Sequence, residues 1–218
     1  MTILTIDILR QRWTHGDQHI PGLIEGIVET SDAVFSKYGV NEPLLVAHLM
    51  AQFSEESGQG LEMIENMNYT AKRLLQVFPS HFTPTMAARA AHNPRQIADI
   101  AYGGRMGNAT PPSDDGYNFR GAGLSQVTGR DGYKALQAFL DAHWREGDEK
   151  FDILETPELI IDPRYTLECG VADWIVCGCK PYAEKDDLVG ETRKLNGGLN
   201  GLDERRRQLR LWKAALKC

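Results

Sequence analysis

No run of about 20 apolar residues occurs in the 218-residue chain, so stable insertion into a membrane as a spanning helix is not expected. Between Met1 and Ile20, Asp7 and Arg10 interrupt what a secretory leader would need as an apolar core, so synthesis in the cytoplasm without a signal peptide is expected. Basic charge is also scarce. The 24 Lys and Arg stand against 30 Asp and Glu, a formal net charge of −6, which lacks the cationic footprint that nucleic acid phosphates call for. The four cysteines, Cys169, Cys177, Cys179 and Cys218, all fall in the last quarter without paired C-x-x-C spacing. Cys177-Gly178-Cys179 is too tight for a relaxed zinc site, so free thiols in a reducing compartment are expected.

What is present is ordinary globular composition, 42% hydrophobic and 25% charged, in a length that suits one domain over residues 1–218. Periodicity predicts helices near 3–13, 21–37, 43–57, 69–78, 84–92, 94–102, 131–144, 163–177, 186–195 and 202–216. Between Gly103 and Gly132 lie eight glycines with Pro111 and Pro112. There, Tyr117-Asn118-Phe119 and Ser125-Gln126-Val127-Thr128 are expected to form at most a small hairpin, and the long loop reads as a binding surface. Charge is uneven: 141–168 carries nine acids against Arg145, Lys150 and Arg164, whereas 203–218 carries six bases against Asp203 and Glu204. The acidic stretch is expected to be peripheral, and Arg206, Arg207, Arg210 and Lys213 to be free to meet an anionic surface.

Chemistry concentrates around the third helix. From Asn41-Glu42-Pro43, the helical repeat puts Leu45, Leu49, Gln52 and Glu56 on one side, so Glu56 continues the inward stripe and Glu55 points away. Burial and the negative end of a helix that stops before Gly58 both disfavour an ionised carboxylate, as suits a general acid. A carboxylate paired with an arginine at a seam is the plain alternative. Glu65, on the connection that follows, can face Glu56 across an opening, with Glu62 as its rival. Two carboxylates separated by room for a water are what inverting hydrolysis of a glycosidic bond needs. Gly121 to Gly123 has neither the Lys-Ser/Thr of a phosphate loop nor the third glycine of a dinucleotide fingerprint.

Several segments together resemble glycoside hydrolase family 19, particularly its compact endolysin-like branch. They are Ala51-Gln52-Phe53-Ser54-Glu55-Glu56-Ser57-Gly58, Glu65-Asn66-Met67-Asn68-Tyr69, Tyr102-Gly103-Gly104-Arg105-Met106-Gly107-Asn108, Phe119 to Arg130, and Asn196-Gly197-Gly198-Leu199-Asn200-Gly201 followed by Glu204-Arg205. The resemblance implies a mainly α, lysozyme-like (α+β) fold with two helical lobes around a substrate groove. It also implies inverting hydrolysis of β-1,4 linkages between N-acetylated amino sugars, without metal or organic cofactor. Carried over by position, Glu56 is the acid, Glu65 the base and Thr128 the hydroxyl that holds the attacking water. Tyr102, Arg105, Gln126, Tyr133 and Asn196 would contact substrate, and Arg205 would be a charge partner behind the carboxylates. The chain departs from the pattern at Glu55, where His is common, at Ala122 and Ser125, and at Gly132, where an Asn contact is expected. Residues 140–160 are longer and more acidic than the compact branch suggests.

Peptidoglycan is the expected substrate because no chitin-binding module or plant-like cysteine pattern is seen, with action in the periplasm or cell wall after holin-type release. A chitinase acting on chitin or chito-oligosaccharides is the alternative, and an inactive glycan-binding protein is a reading of another class. A monomer is expected. His48, Trp174 and Trp212 read as packing residues, and Trp144 fits either packing or surface.

Overall fold

The structure, a computed structural model, describes residues 2–218. Local chemistry explains most helix ends. Thr5, Thr70, Thr83, Asn93 and Asp187 each accept a backbone N–H with their side chains at the starts of α1 (Ile6–Arg12), α4 (Ala71–Val77), α5 (Pro84–Ala90), α6 (Pro94–Tyr102) and α11 (Leu188–Asn196). Gly39, at φ 65°, closes α2 (Leu23–Tyr38), and Pro43 opens α3 (Pro43–Glu56) where its missing N–H costs nothing. The remaining helices are α7 (Asp115–Asn118), α8 (Gly129–Ala142), α9 (Thr166–Val176), α10 (Lys180–Ala183) and α12 (Leu202–Leu216), with a 3-10 turn at Pro157–Ile161.

Two apolar clusters divide the molecule into lobes. The larger joins side chains of α1–α3, α8, α9, α11 and α12; the smaller gathers Met67, Leu74, Phe82, Ile97 and Ala101 from α4 to α6 and the segment before them. At the centre of the large lobe, α3 is buried at every residue from Leu45 to Ser54, so it has no solvated face at all through that stretch. The single inward stripe expected from the sequence is therefore corrected to a helix enclosed on all sides, with α12 packed along it and α9 and α10 against it. Ser54 ties three helices together: its hydroxyl accepts both Trp13 Nε1 and Trp212 Nε1 at 2.9 Å and donates to Met50 O at 2.6 Å.

His48 is fully buried between Glu191 Oε2 at 2.6 Å and Asp186 Oδ1 at 2.8 Å, a hydrogen-bonded core histidine as expected. Trp174 and Trp212 are likewise fully buried packing residues, whereas Trp144 is 41% exposed beneath the Lys150 ammonium. All four cysteines are free thiols. No helix among the described residues is long and apolar enough to cross a membrane.

Three expectations need correction. Tyr117 and Asn118 lie in α7 rather than in a strand, because Asp114 adopts the left-handed conformation and starts a helical turn that delivers Phe119 into the core. Among the described residues, strand pairing is confined to isolated antiparallel bridges of Ala122 with Val127 and with Ile64. The acidic stretch is not merely peripheral, since Ile153 and Ile160 are buried and Phe151 stacks on Tyr165 at 4.3 Å. Lys37 also answers two of its acids, Asp148 and Glu168. The basic excess of α12 is largely answered at home: Arg206 pairs with Asp203, Arg207 with Glu204 and Lys213 with Asp186. Three of the four cations expected to face an anionic surface are thereby engaged, Arg206 and Arg207 by acids one turn back on α12 and Lys213 by Asp186 in the turn before α11.

Candidate active site

The last turn of α3 presents Glu56 at the edge of the large lobe. Its side chain is 16% exposed, and Oε1 accepts from Arg205 Nη2 at 2.6 Å. Arg205 reaches there from the first turn of α12 and is 2% exposed, with every arm of its guanidinium occupied. Nη1 donates to Gln52 Oε1 at 2.5 Å and Nε to the Asn200 carbonyl at 3.2 Å. Gln52, one turn before Glu56, is fully buried, and its amide nitrogen continues the chain of bonds to Thr192 Oγ1 at 3.3 Å. The arginine at a seam and the charge partner behind the carboxylates, two separate sequence expectations, are thus one residue.

Glu65 belongs to the strand-like connection into the small lobe. The Ile64–Ala122 bridge fixes that connection, and Glu65 N donates to Gly121 O at 2.8 Å. Its carboxylate is held from both sides: Tyr102 Oη donates to Oε1 at 2.7 Å, and Gly121 N to Oε2 at 3.3 Å. Burial and the adjacent Glu65 charge push the Tyr102 hydroxyl well above its ordinary range, so it remains a proton donor across the neutral range. Tyr102 was expected as a substrate contact; the structure gives it to Glu65 instead. Its place at the end of α6, 37 residues on, is a tertiary fact that no local pattern announces.

Gly121 is the point on which the rest converges. A Cβ there would lie 3.1 Å from Gln126 Oε1, 3.2 Å from Thr128 Oγ1 and 3.5 Å from Glu65 Cβ, so those groups crowd around a residue that has no side chain. The Thr128 hydroxyl donates to Gln126 O at 3.1 Å, which leaves its lone pairs open to a water. Gln126 commits its amide nitrogen to Glu62 O and Gly123 O, at 2.9 and 3.1 Å, and keeps only Oε1 for a ligand. Glu62, the rival base, contributes its carbonyl to that support.

The other expected contacts separate from this centre. Arg105 is exposed three residues beyond the end of α6, its guanidinium donating to Ala101 O at 3.4 Å. Asn196 builds the loop before α12: its side chain bonds Asn200 O and Gly198 N at 3.2 and 3.0 Å, and so sets the carbonyl that receives Arg205. Tyr133, expected to contact substrate, is a core residue, 1% exposed and edge-on to Phe119 at 5.0 Å, because α8 turns it inward. Only a sliver of it reaches a cavity of about 250 Å³, which is lined also by Ile64, Tyr117, Asn118, Arg120 and Glu158. That cavity opens one residue from Glu65. Among the described residues no group of three His, Cys, Asp or Glu side chains is arranged to hold a metal ion.

This geometry can be set beside known proteins. No family model matches the chain. Chitinase C from Streptomyces griseus superposes with a TM-score of 0.62 at 14% identity, over 99% of this chain and 93% of its own. A bacterial family 19 chitinase does so with a TM-score of 0.56 at 15% identity, over 96% and 95%. These likenesses show a mainly α, lysozyme-like fold. At the level of sequence, a glycosyl hydrolase family 19 domain-containing protein of Haemophilus influenzae is 32% identical over 186 residues, 85% of this chain and 86% of its own. With that identity over most of both lengths, the chain belongs to glycoside hydrolase family 19.

Proposed function

We propose that the chain hydrolyses β-1,4 linkages between N-acetylated amino sugars with inversion of configuration, acting first on peptidoglycan. The observation that carries the reading is the Glu65 carboxylate, fixed by Tyr102 and Gly121 beside the Thr128 hydroxyl, while Glu56 ends α3 backed by Arg205. Glu56 gives its proton to the glycosidic oxygen as the bond to the anomeric carbon breaks. A water on the opposite face loses a proton to Glu65 as its oxygen bonds that carbon. Because Thr128 already donates to Gln126 O, it accepts the second water hydrogen, which turns the water's lone pair toward the sugar. Bulk water then returns a proton to Glu56 and removes one from Glu65. Acid and base each contribute about 10²- to 10⁴-fold in such steps.

Peptidoglycan differs from chitin by a lactyl-peptide branch on alternate sugars. The cavity of about 250 Å³ beside Glu65, with Arg120 and Glu158 in its walls, supports the branched polymer, since its charged walls suit the charged groups of a peptide branch, which chitin lacks. Chitin is the second reading, supported by the neighbours named as chitinases. Clearing of chloroform-treated Gram-negative cells, run beside digestion of chitotetraose, tests the two. Clearing that Glu56→Gln abolishes while chitotetraose stays intact is expected; the reverse outcome makes the chain a chitinase. If folded Glu56→Gln keeps near-wild-type turnover of either substrate, the acid is misassigned, and if wild type binds glycan without product, the chain is a binding protein.

A further inference from the structure

The segment from Tyr102 to Asn108 gives the carboxylates the Tyr102 hydroxyl, and the rest of it runs to the start of α8. There the two pieces of chain approach too closely for side chains. A Cβ on Gly107 would overlap the Asp131 carboxylate, and one on Gly129 would overlap Met106. Asn108, 6% exposed, lies at this contact. Its Oδ1 accepts Arg130 N at 2.8 Å, and its Nδ2 donates to the Tyr102 carbonyl at 3.1 Å. Asp115 holds the same loop as well, accepting Ala109 N at 2.8 Å and Arg130 Nε and Nη2 at 2.8 and 2.6 Å.

An α-helix begins with N–H groups that have no partner within it, and a threonine at the N-cap ordinarily turns its hydroxyl to accept one of them. Thr5, Thr70 and Thr83 do so at the starts of α1, α4 and α5, each accepting the N–H three residues on. Thr128 is the N-cap of α8 and has the extended backbone of that position, φ −130° and ψ 137°, yet its side chain accepts none of them. The donors are already taken. Gly129 N donates to Phe119 O at 2.7 Å, Arg130 N to Asn108 Oδ1, and Asp131 N to Met106 O at 2.9 Å. The Thr128 hydroxyl is left to donate to Gln126 O and to stand beside Gly121, whose N–H holds Glu65.

We propose that Asn108 is a positioning residue that acts through Thr128: by capping α8 in place of the threonine, it keeps that hydroxyl free to accept the attacking water. Without the Asn108 amide, Arg130 N loses its acceptor and the loop that presents Met106 O loses one of its ties. Thr128 then stands at the N-cap on a backbone already shaped for capping, with an unpaired N–H within its ordinary reach. A hydroxyl turned to the helix no longer faces the water. The inference rests on the water-holding role of Thr128 in the proposed reaction.

A double-mutant cycle on the full chain tests it, with kcat and KM measured on peptidoglycan or chitotetraose and folding verified by circular dichroism. Asn108→Ala should lower kcat about 10- to 100-fold with little change in KM. In a Thr128→Ala background no hydroxyl remains to be diverted, and the same change should cost less than about 3-fold. Equal losses in both backgrounds, or a loss confined to KM, overturn the proposal. The second measurement needs neither turnover nor a variant of Asn108: amide hydrogen exchange of Arg130 and Asp131 in wild type and in Thr128→Ala. Their protection should be unchanged, because the hydroxyl caps neither; a fall of about 10-fold or more in either overturns the proposal. If Thr128→Ala keeps the wild-type kcat, the water-holding role fails and this inference with it. If Thr128→Ala is slow while Asn108→Ala is not, only the role of Asn108 fails.

Discussion

Ser54→Ala removes one hydroxyl and leaves two fully buried indole N–H groups, those of Trp13 and Trp212, without an acceptor. A buried donor left unpaired costs roughly 1–3 kcal/mol, so the pair costs about 2–6 kcal/mol, with little offset from the serine's own bond to Met50 O. For a domain of this length, at roughly 2–4 °C per kcal/mol, that is a fall in Tm on the order of 10 °C. Urea unfolding followed by circular dichroism gives the free energy directly, and an unchanged slope with denaturant would show that the native state alone has been affected. Trp212→Phe sharpens the test, because it removes one of the donors. In that background Ser54→Ala should cost about 1–3 kcal/mol less than in wild type. The clamp also has a functional side, since α12 carries Arg205 to Glu56 and is held on α3 through Trp212. A loss below about 1 kcal/mol for Ser54→Ala, or costs that simply add in the double variant, would refute this reasoning.

Burial works against the imidazolium of His48, but Glu191 and Asp186 outweigh it and raise His48 above its ordinary 6.5. The folded state then binds the proton more tightly, so this stabilisation is complete below pH 6.5 and is lost as pH rises through the folded value. The stability gap between wild type and His48→Leu should narrow from pH 6 to pH 9; a gap independent of pH would contradict the buried ion cluster. Tyr102→Phe deletes the donor to Glu65 Oε1 and should lower kcat about 10-fold or more with little change in KM. An effect confined to KM would return Tyr102 to substrate binding. Gly121→Ala brings a methyl to within 3.1–3.2 Å of Gln126 and Thr128 and should reduce kcat more than stability. Retained kcat would mean that the attacking water is held elsewhere.

Much of the helical frame was legible because its signals are local. Pro43, Thr70, Thr83 and Asn93 start their helices through groups within four residues of the first turn, and Gly39 stops α2 by a conformation that suits glycine. Illegible were the elements whose form depends on distant partners. Tyr117 and Asn118 look like a strand until Asp99 Oδ1 and the stacked guanidiniums of Arg95 and Arg120 are seen around α7. The site divides in the same way. Glu56 and Glu65 could be found from a helix end and the connection after it, and Arg205 from its motif. The tyrosine that supports Glu65 and the buried Gln52 that supports Arg205 come together with their partners only through packing across 37 and 153 residues of chain. The depth of Tyr133 was illegible for a simpler reason: its motif position says nothing about which face of α8 turns inward.

The central claim is that Glu65 draws the proton from the attacking water across the sugar from Glu56. Glu65→Ala assayed with and without sodium azide tests it most directly, the product being identified by NMR. Turnover should fall by about 10²-fold or more without azide and recover with it, giving a glycosyl azide of α configuration, inverted from the β linkage. Retained turnover without azide, or a β-configured azide, would contradict the account.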